Sequence, residues 1–164
     1  MKRAIAFGFC TFLTLASAGS AVAQQRLDAA TFARTASASD AFEIQSSRLA
    51  MERSRNPRVR ANAQRMVEDH SRTTAELAQT AASPVMFGGP GTLDPRHAAM
   101  LSQLAAQSGP AFDRLYDQMQ LAGHREAVAL FASYATTGDD PRLVTFARTT
   151  LPALRHHLAM ARRL

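Results

Sequence analysis

The chain has 164 residues, of which 46% are hydrophobic and 20% charged, with a formal net charge of +6. This length favours a single domain, and one cysteine is too few for a scaffold built on disulfides. The chain has no tryptophan, and its arginines are interleaved with acidic residues, which argues against a nucleic-acid interface built on base stacking.

The first 23 residues have the pattern of a secretory signal peptide. Lys2 and Arg3 precede an apolar run over residues 4–15, and a small-residue segment ends in Ala-Val-Ala at 21–23. The apolar run is too short to cross a bilayer comfortably. We therefore predict cleavage after residue 23 and a periplasmic protein with no stable membrane span.

Cleavage would also remove Cys10, and it would lower the formal charge from +6 to +4 because Lys2 and Arg3 leave with the signal peptide. The remaining chain has no lysine and no cysteine. It therefore lacks disulfides, thiolate nucleophiles and cysteine metal ligands. We predict a flexible N-terminus over residues 24–30 and one domain over residues 31–164.

The pattern of this domain predicts helices only. Residues 32–54 contain no proline or glycine and many alanines, which favours a helix. Asn56 and Pro57 are an N-cap and a first-turn proline, and they open a second helix that ends near residue 82. Apolar or small residues recur along this helix at spacings of three and four, and His70 continues that inward stripe.

The second half begins with a crossover over residues 83–95 that is rich in proline and glycine. A short helix follows from Asp94 to about residue 107, and a long helix over residues 110–136 ends at Gly138. Asp140 and Pro141 repeat the Asn-Pro opening and start a last helix, which Pro152 should kink.

This order predicts an all-α, ferritin-like four-helix bundle of two helical hairpins, with a Pro/Gly-rich crossover and a short extra helix. An up-down-up-down bundle is the alternative arrangement.

Four titratable residues, one near the middle of each long helix, are the candidate site: Glu43, His70, His124 and His157. At about 1.5 Å per residue, Glu43 and His70 lie roughly 20 Å from the first turn, and His124 and His157 roughly 22 and 27 Å from the second. Three of them follow inward-facing stripes, whereas His124 lies at the edge of one.

Two interpretations follow from this polar layer. Three imidazoles and one carboxylate could hold a divalent transition metal such as zinc, copper or iron. Alternatively, Glu43 accepts hydrogen bonds from the histidines in a core network, because a buried carboxylate needs a donor. A di-iron site built on Glu-x-x-His is excluded, since Val67 and Leu154 stand where its glutamates would be.

The other polar residues near this layer are predicted to lie at the surface. Asp69, next to His70, could join a site only at its rim, and it should pair with Arg65 or Arg72 at the surface. His97 and His156 should face solvent. No nucleophile constellation and no phosphate-binding glycine loop stands out, which favours a protein without enzymatic activity.

An ordered succession of short motifs runs along nearly the whole predicted domain. The motifs are Phe42-Glu43-Ile44, Arg48-Leu49-Ala50, Asn56-Pro57, Met66-Val67-x-Asp69-His70, Leu104 to Ser108-Gly109, Phe112-Asp113-Arg114-x-Tyr116, His124 with Ala127-Val128-x-Leu130-Phe131, Thr150-Leu151-Pro152, and His157-Leu158-x-x-Ala161. In these motifs the chain resembles the bacterial domain-of-unknown-function family 4142 over about residues 32–164. One departure is Gly123, since such members often have an acidic residue just before the histidine of the third long helix. The resemblance implies an exported ferritin-like bundle and implies no activity.

The predicted function is therefore a non-catalytic interaction or structural module of the bacterial envelope, with a Glu/His polar layer and an unidentified envelope component as its partner. The first alternative is a stress-related periplasmic protein that binds zinc, copper or iron. The second is a redox enzyme of ferritin-like descent.

Overall fold

Five α-helices make up the described part of the chain, which covers residues 27–81, 89 and 91–164 of this computed structural model. These residues contain no strand, so the all-α prediction is confirmed. The predicted signal peptide and most of the predicted crossover lie outside the described residues. The helices are α1 (Ala29–Arg53), α2 (Pro57–Thr80), α3 (Pro95–Ala105), α4 (Gly109–Thr137) and α5 (Pro141–Ala161).

Side-chain caps fix where four of the helices begin. Asn56, Asp94 and Asp140 each accept a hydrogen bond from a backbone N–H of the next turn, and a proline follows each of them. These starts agree with the predicted ones, because an N-cap oxygen satisfies a helix N–H that has no partner within the helix.

The start of α1, the fourth capped helix, differs from the prediction. Asp28 accepts a hydrogen bond from the Thr31 backbone N–H at 2.6 Å, so the helix begins at Ala29 and not near residue 32. Leu27 also packs against the core. Residues 29 and 30, at the end of the segment 24–30 that the sequence predicts to be flexible, thus belong to α1, because Asp28 caps a helix that the alanine-rich pattern alone places later.

Gly138 follows the end of α4, but for a reason other than the predicted one. Its φ is −60°, so it does not adopt the left-handed conformation that usually favours glycine at this position. A Cβ at Gly138 would lie 2.6 Å from Cε1 of the Tyr134 ring. The glycine is needed here because the tyrosine ring leaves no room for a side chain.

Replacing Gly138 by alanine is expected to lower the free energy of unfolding by about 1–3 kcal/mol, as overpacking usually does. The Tyr134 ring cannot move away freely, because it stacks on Phe32 with a centroid distance of 4.0 Å. Urea denaturation measures the change. Thr137→Ala, at the exposed neighbouring position, is the control and should stay within about 0.5 kcal/mol of the wild type. Equal stabilities for the two variants would contradict the packing argument.

The helices pack in a ring in which α1 contacts α2 and α4, and α5 contacts the same two helices. One core cluster joins the start of α1 to the end of α2, the end of α4 and the start of α5. The other joins the end of α1 to the starts of α2 and α4, with α3 beside them. Helices α1 and α5 thus run in one direction and α2 and α4 in the other, which agrees with a ferritin-like bundle.

This direction of the helices requires a long connection between α2 and α4, because the end of α2 and the start of α4 lie at opposite ends of the bundle. Helix α3 belongs to that connection and packs against α1 and α4.

Pro152 lies inside α5, and the helix continues past it to Ala161. Within the described residues, no helix is long and apolar enough to cross a membrane.

Candidate metal centre

Three histidines from three helices meet between the two core clusters. His70 comes from α2, His124 from α4 and His157 from α5, and all three side chains are buried. Their ring centroids are 5.3–5.6 Å apart. One ring nitrogen of each histidine lies within 4.8 Å of the corresponding nitrogen of the other two.

Each ring uses one nitrogen to donate a hydrogen bond away from this centre. His70 Nδ1 donates to Asp40 Oδ1 at 2.7 Å, and His157 Nε2 donates to Asp69 Oδ2 at 2.9 Å. His124 Nδ1 donates to the backbone oxygen of Gln120 at 2.9 Å. These acceptors fix the orientation of the rings and, in a neutral imidazole, the nitrogen that carries the proton.

The second nitrogen of each ring is buried and has no hydrogen-bond partner among the described residues: His70 Nε2, His124 Nε2 and His157 Nδ1. Buried polar atoms nearly always have a partner, so three orphans in one place require an explanation. In a neutral imidazole whose bonded nitrogen carries the proton, the other nitrogen carries a lone pair. The three ring centroids are only 5.3–5.6 Å apart, so nitrogens of this kind on the three rings are close neighbours.

The charge state of His157 supports this arrangement. Burial, together with the neighbouring His70 and His124 rings, lowers the pKa of His157 to about 4 in spite of the opposing Asp69 hydrogen bond. His157 is therefore neutral near pH 7 and presents a free lone pair on Nδ1.

The carboxylates behind the rings differ in their surroundings. Burial raises the pKa of Asp40. Burial acts to lower the pKa of His70, but the hydrogen bond to Asp40 and the Asp40 charge outweigh it and raise the pKa. Burial also acts to raise the pKa of Asp69, but the His157 hydrogen bond and the Arg72 charge outweigh it and lower the pKa. Asp69 is therefore ionised at neutral pH.

The three orphan nitrogens fit a transition-metal ion. Metal–imidazole bonds of about 2.0–2.1 Å in tetrahedral geometry put the nitrogens about 3.3 Å apart. One nitrogen of each ring already lies within 4.8 Å of one nitrogen of the other two, so the rings need to move only slightly. Histidine ligands usually donate their other N–H to a carboxylate or a backbone carbonyl, as all three rings do here. Three donors also leave a fourth coordination position for another ligand.

Comparison with protein families agrees with the resemblance seen in the sequence. The family model described as "Domain of unknown function (DUF4142)" matches residues 14–164. The chain belongs to the DUF4142 family.

The fold of this DUF4142 protein has a counterpart among solved structures. A structure described as "CopM in the Cu(II)-bound form" aligns with a TM-score of 0.65 and 16% sequence identity. The alignment covers 83% of this chain and 94% of that one. At this identity the similarity concerns the fold alone. No curated protein matches the DUF4142 chain.

Glu43, the fourth candidate from the sequence, lies behind His124 and outside the group of three nitrogens. Its carboxylate is buried, and Oε2 accepts a hydrogen bond from Gln120 Nε2 at 2.6 Å. Oε1 is 4.0 Å from His124 Nδ1. A Cβ at Gly123 would lie 3.0 Å from Glu43 Oε1, so a side chain just before His124 would crowd the Glu43 carboxylate in this DUF4142 chain.

Two of the surface predictions for this DUF4142 protein need correction. His97 does not face solvent but is buried, with Nδ1 2.9 Å from Asp94 Oδ2 and its ring against Phe42. Asp69 pairs with Arg72 as predicted, yet it also accepts the hydrogen bond from His157. His156 is exposed, in agreement with the prediction.

Sequence reasoning missed Asp40 and Gln120, the residues behind His70 and His124. Asp40 follows Ala36 by four residues, on the face of α1 that carries small residues, so its inward position could have been recognised. Gln120 lies four residues before His124, where its backbone oxygen is within reach of that side chain.

Proposed function

We propose that this protein binds one transition-metal ion through His70 Nε2, His124 Nε2 and His157 Nδ1, and that it does so as an exported protein of the bacterial periplasm. The observation that carries the proposal is the set of three buried nitrogens without hydrogen-bond partners, each opposite a nitrogen that is already bonded. The export of the chain rests on the predicted signal peptide.

A purely structural polar layer explains these nitrogens less well. In a satisfied core network both nitrogens of each imidazole would have hydrogen-bond partners. Here one nitrogen of each ring has no partner among the described residues. A buried polar atom without a partner costs about 1–3 kcal/mol. A metal ion would satisfy three such atoms at once, and no rearrangement of Asp40, Asp69 or Gln120 would be needed.

Copper is the first metal to test and zinc the second. Imidazole ligands suit both ions, and the site has no cysteine or methionine sulfur among its three donors. The structural counterpart is a protein in a "Cu(II)-bound form", which supports beginning with Cu(II). A carboxylate-rich iron site is disfavoured, because Val67 and Leu154 occupy the positions that would carry its glutamates.

Thermal unfolding with and without metal tests the proposal. Free Cu(II) at about 100 times its dissociation constant should stabilise the native state by about 2.7 kcal/mol. For a domain of this length, that corresponds to a rise in melting temperature of roughly 10 °C. Elemental analysis of protein purified without a histidine tag should give one bound ion per chain.

Mg²⁺ is the control for a general effect of divalent charge, since it prefers oxygen ligands and should leave the melting temperature unchanged. If neither Cu(II) nor Zn²⁺ raises the melting temperature, and no stoichiometric metal is found, the three histidines form a structural layer and the proposal fails.

A further inference from the structure

A groove between α2 and α5 leads from the protein surface to the histidine centre. It encloses a cavity of about 540 Å³, and both His70 and His157 line it. Its rim is exposed at Glu76, Thr149 and Ala153. A second cavity of about 490 Å³ shares Glu76 and Thr149 with the first, so the groove continues along the two helices.

The groove reaches the centre from one side only. His70 and His157 form part of its wall, whereas His124 lies deeper and does not line it. An ion held by the three nitrogens would therefore sit behind the His70 and His157 rings as seen from the groove. The nitrogens themselves have almost no accessible area, so a ligand must separate these two rings slightly to reach them.

The charges along the groove suit the passage of a cation. Asp69 and Glu76 both line it, and Asp69 also accepts the hydrogen bond that orients His157. Two arginines line the two cavities, and both are paired: Arg72 with Asp69 and Arg142 with Asp140. Carboxylates at a concave surface raise the local concentration of cations and their rate of association.

We infer that the α2–α5 groove is the port through which the metal ion enters and leaves, and through which a small exogenous donor reaches the fourth coordination position. This inference rests on the proposed metal site and adds the route to it. It treats the centre as an open site, unlike structural zinc sites in which the protein supplies all four ligands.

A substitution in the port and a substitution of a metal ligand have different effects on the binding kinetics. Filling the groove raises the barrier for entry and for exit by the same amount, because the free and bound states are unchanged. The association and dissociation rates therefore fall together, while the dissociation constant stays the same. Loss of a ligand would instead weaken binding.

The test is Ala153→Phe, which places a large side chain in the groove. Ala75→Phe is the matched control, because Ala75 is also exposed on a helix but does not line the groove. Stopped-flow measurements follow Cu(II) uptake by the full chain and Cu(II) transfer to EDTA. We expect Ala153→Phe to slow both rates by about tenfold or more, and Ala75→Phe to match the wild type. Ala153→Leu should give an intermediate effect.

Azide supplies a second readout on the Cu(II)-loaded protein. It should change the visible absorption spectrum of the wild type and of Ala75→Phe, and it should bind more slowly to Ala153→Phe. Unchanged rates in Ala153→Phe, weaker Cu(II) binding with a normal association rate, or no spectral response of the wild type to azide would each overturn the port. If no variant binds Cu(II) at all, the metal site itself has failed.

Discussion

Replacing His157 by alanine is expected to lower the Cu(II) affinity by more than about 100-fold, which exceeds the 10–100-fold losses typical of residues behind the ligands. The change removes one of three metal-facing nitrogens and also leaves Asp69 Oδ2 without its hydrogen bond. Isothermal titration calorimetry with a competing chelator measures the affinity.

His156→Ala is the matched control, because the two histidines are adjacent and only His157 faces the centre. His156 is exposed and does not belong to the group of converging nitrogens. Its loss should change the affinity by less than about threefold, within the error usually assigned to a surface substitution. If both variants bind Cu(II) as the wild type does, the ion lies elsewhere and His157 is not a ligand.

The second large effect concerns stability in the absence of metal. His70→Leu is expected to lower the free energy of unfolding by about 3–5 kcal/mol, because removing one partner of a buried pair leaves the other uncompensated. The partner left behind is Asp40, whose side chain is buried and, among the residues that the structure describes, otherwise accepts only from Thr74 Oγ1 at 3.3 Å. Urea unfolding with chelator present measures the loss.

The double variant Asp40→Leu/His70→Leu shows whether the stability is lost because Asp40 is left unpaired or because the packing around residue 70 has changed. Replacing both partners by apolar residues of similar volume is often neutral or stabilising. We therefore expect the double variant to recover most of the stability that His70→Leu loses, without recovering metal binding. A single variant as stable as the wild type would mean that Asp40 and His70 are not coupled.

The helices could be predicted from the sequence because their starts depend on local chemistry. An Asx residue followed by proline satisfies and shapes the first turn regardless of the rest of the fold, as at Asn56 and Asp140. Asp28 caps α1 by the same local chemistry, but no proline follows it to mark the start of the helix. The start of α1 was therefore the one that the sequence pattern placed wrongly.

The inward positions of His70 and His157 could also be predicted, because each continues an apolar stripe along its own helix. The partners of these residues could not. Asp69 accepts from His157 only because α5 passes beside α2 at that level, and His97 is buried only because α3 packs against α1. Such contacts depend on how helices far apart in sequence are placed, which periodicity within one helix does not contain.

The spacing of the three histidines along the chain has a consequence for how the metal would act in folding. They belong to α2, α4 and α5, so no single helical hairpin contains all three. A folding intermediate with only one hairpin formed offers at most two of the nitrogens, and the complete set exists only when both hairpins have docked. If the folding transition state lacks the second docked hairpin, the ion would slow unfolding and leave the folding rate almost unchanged. The metal would stabilise the completed bundle and would not nucleate its folding.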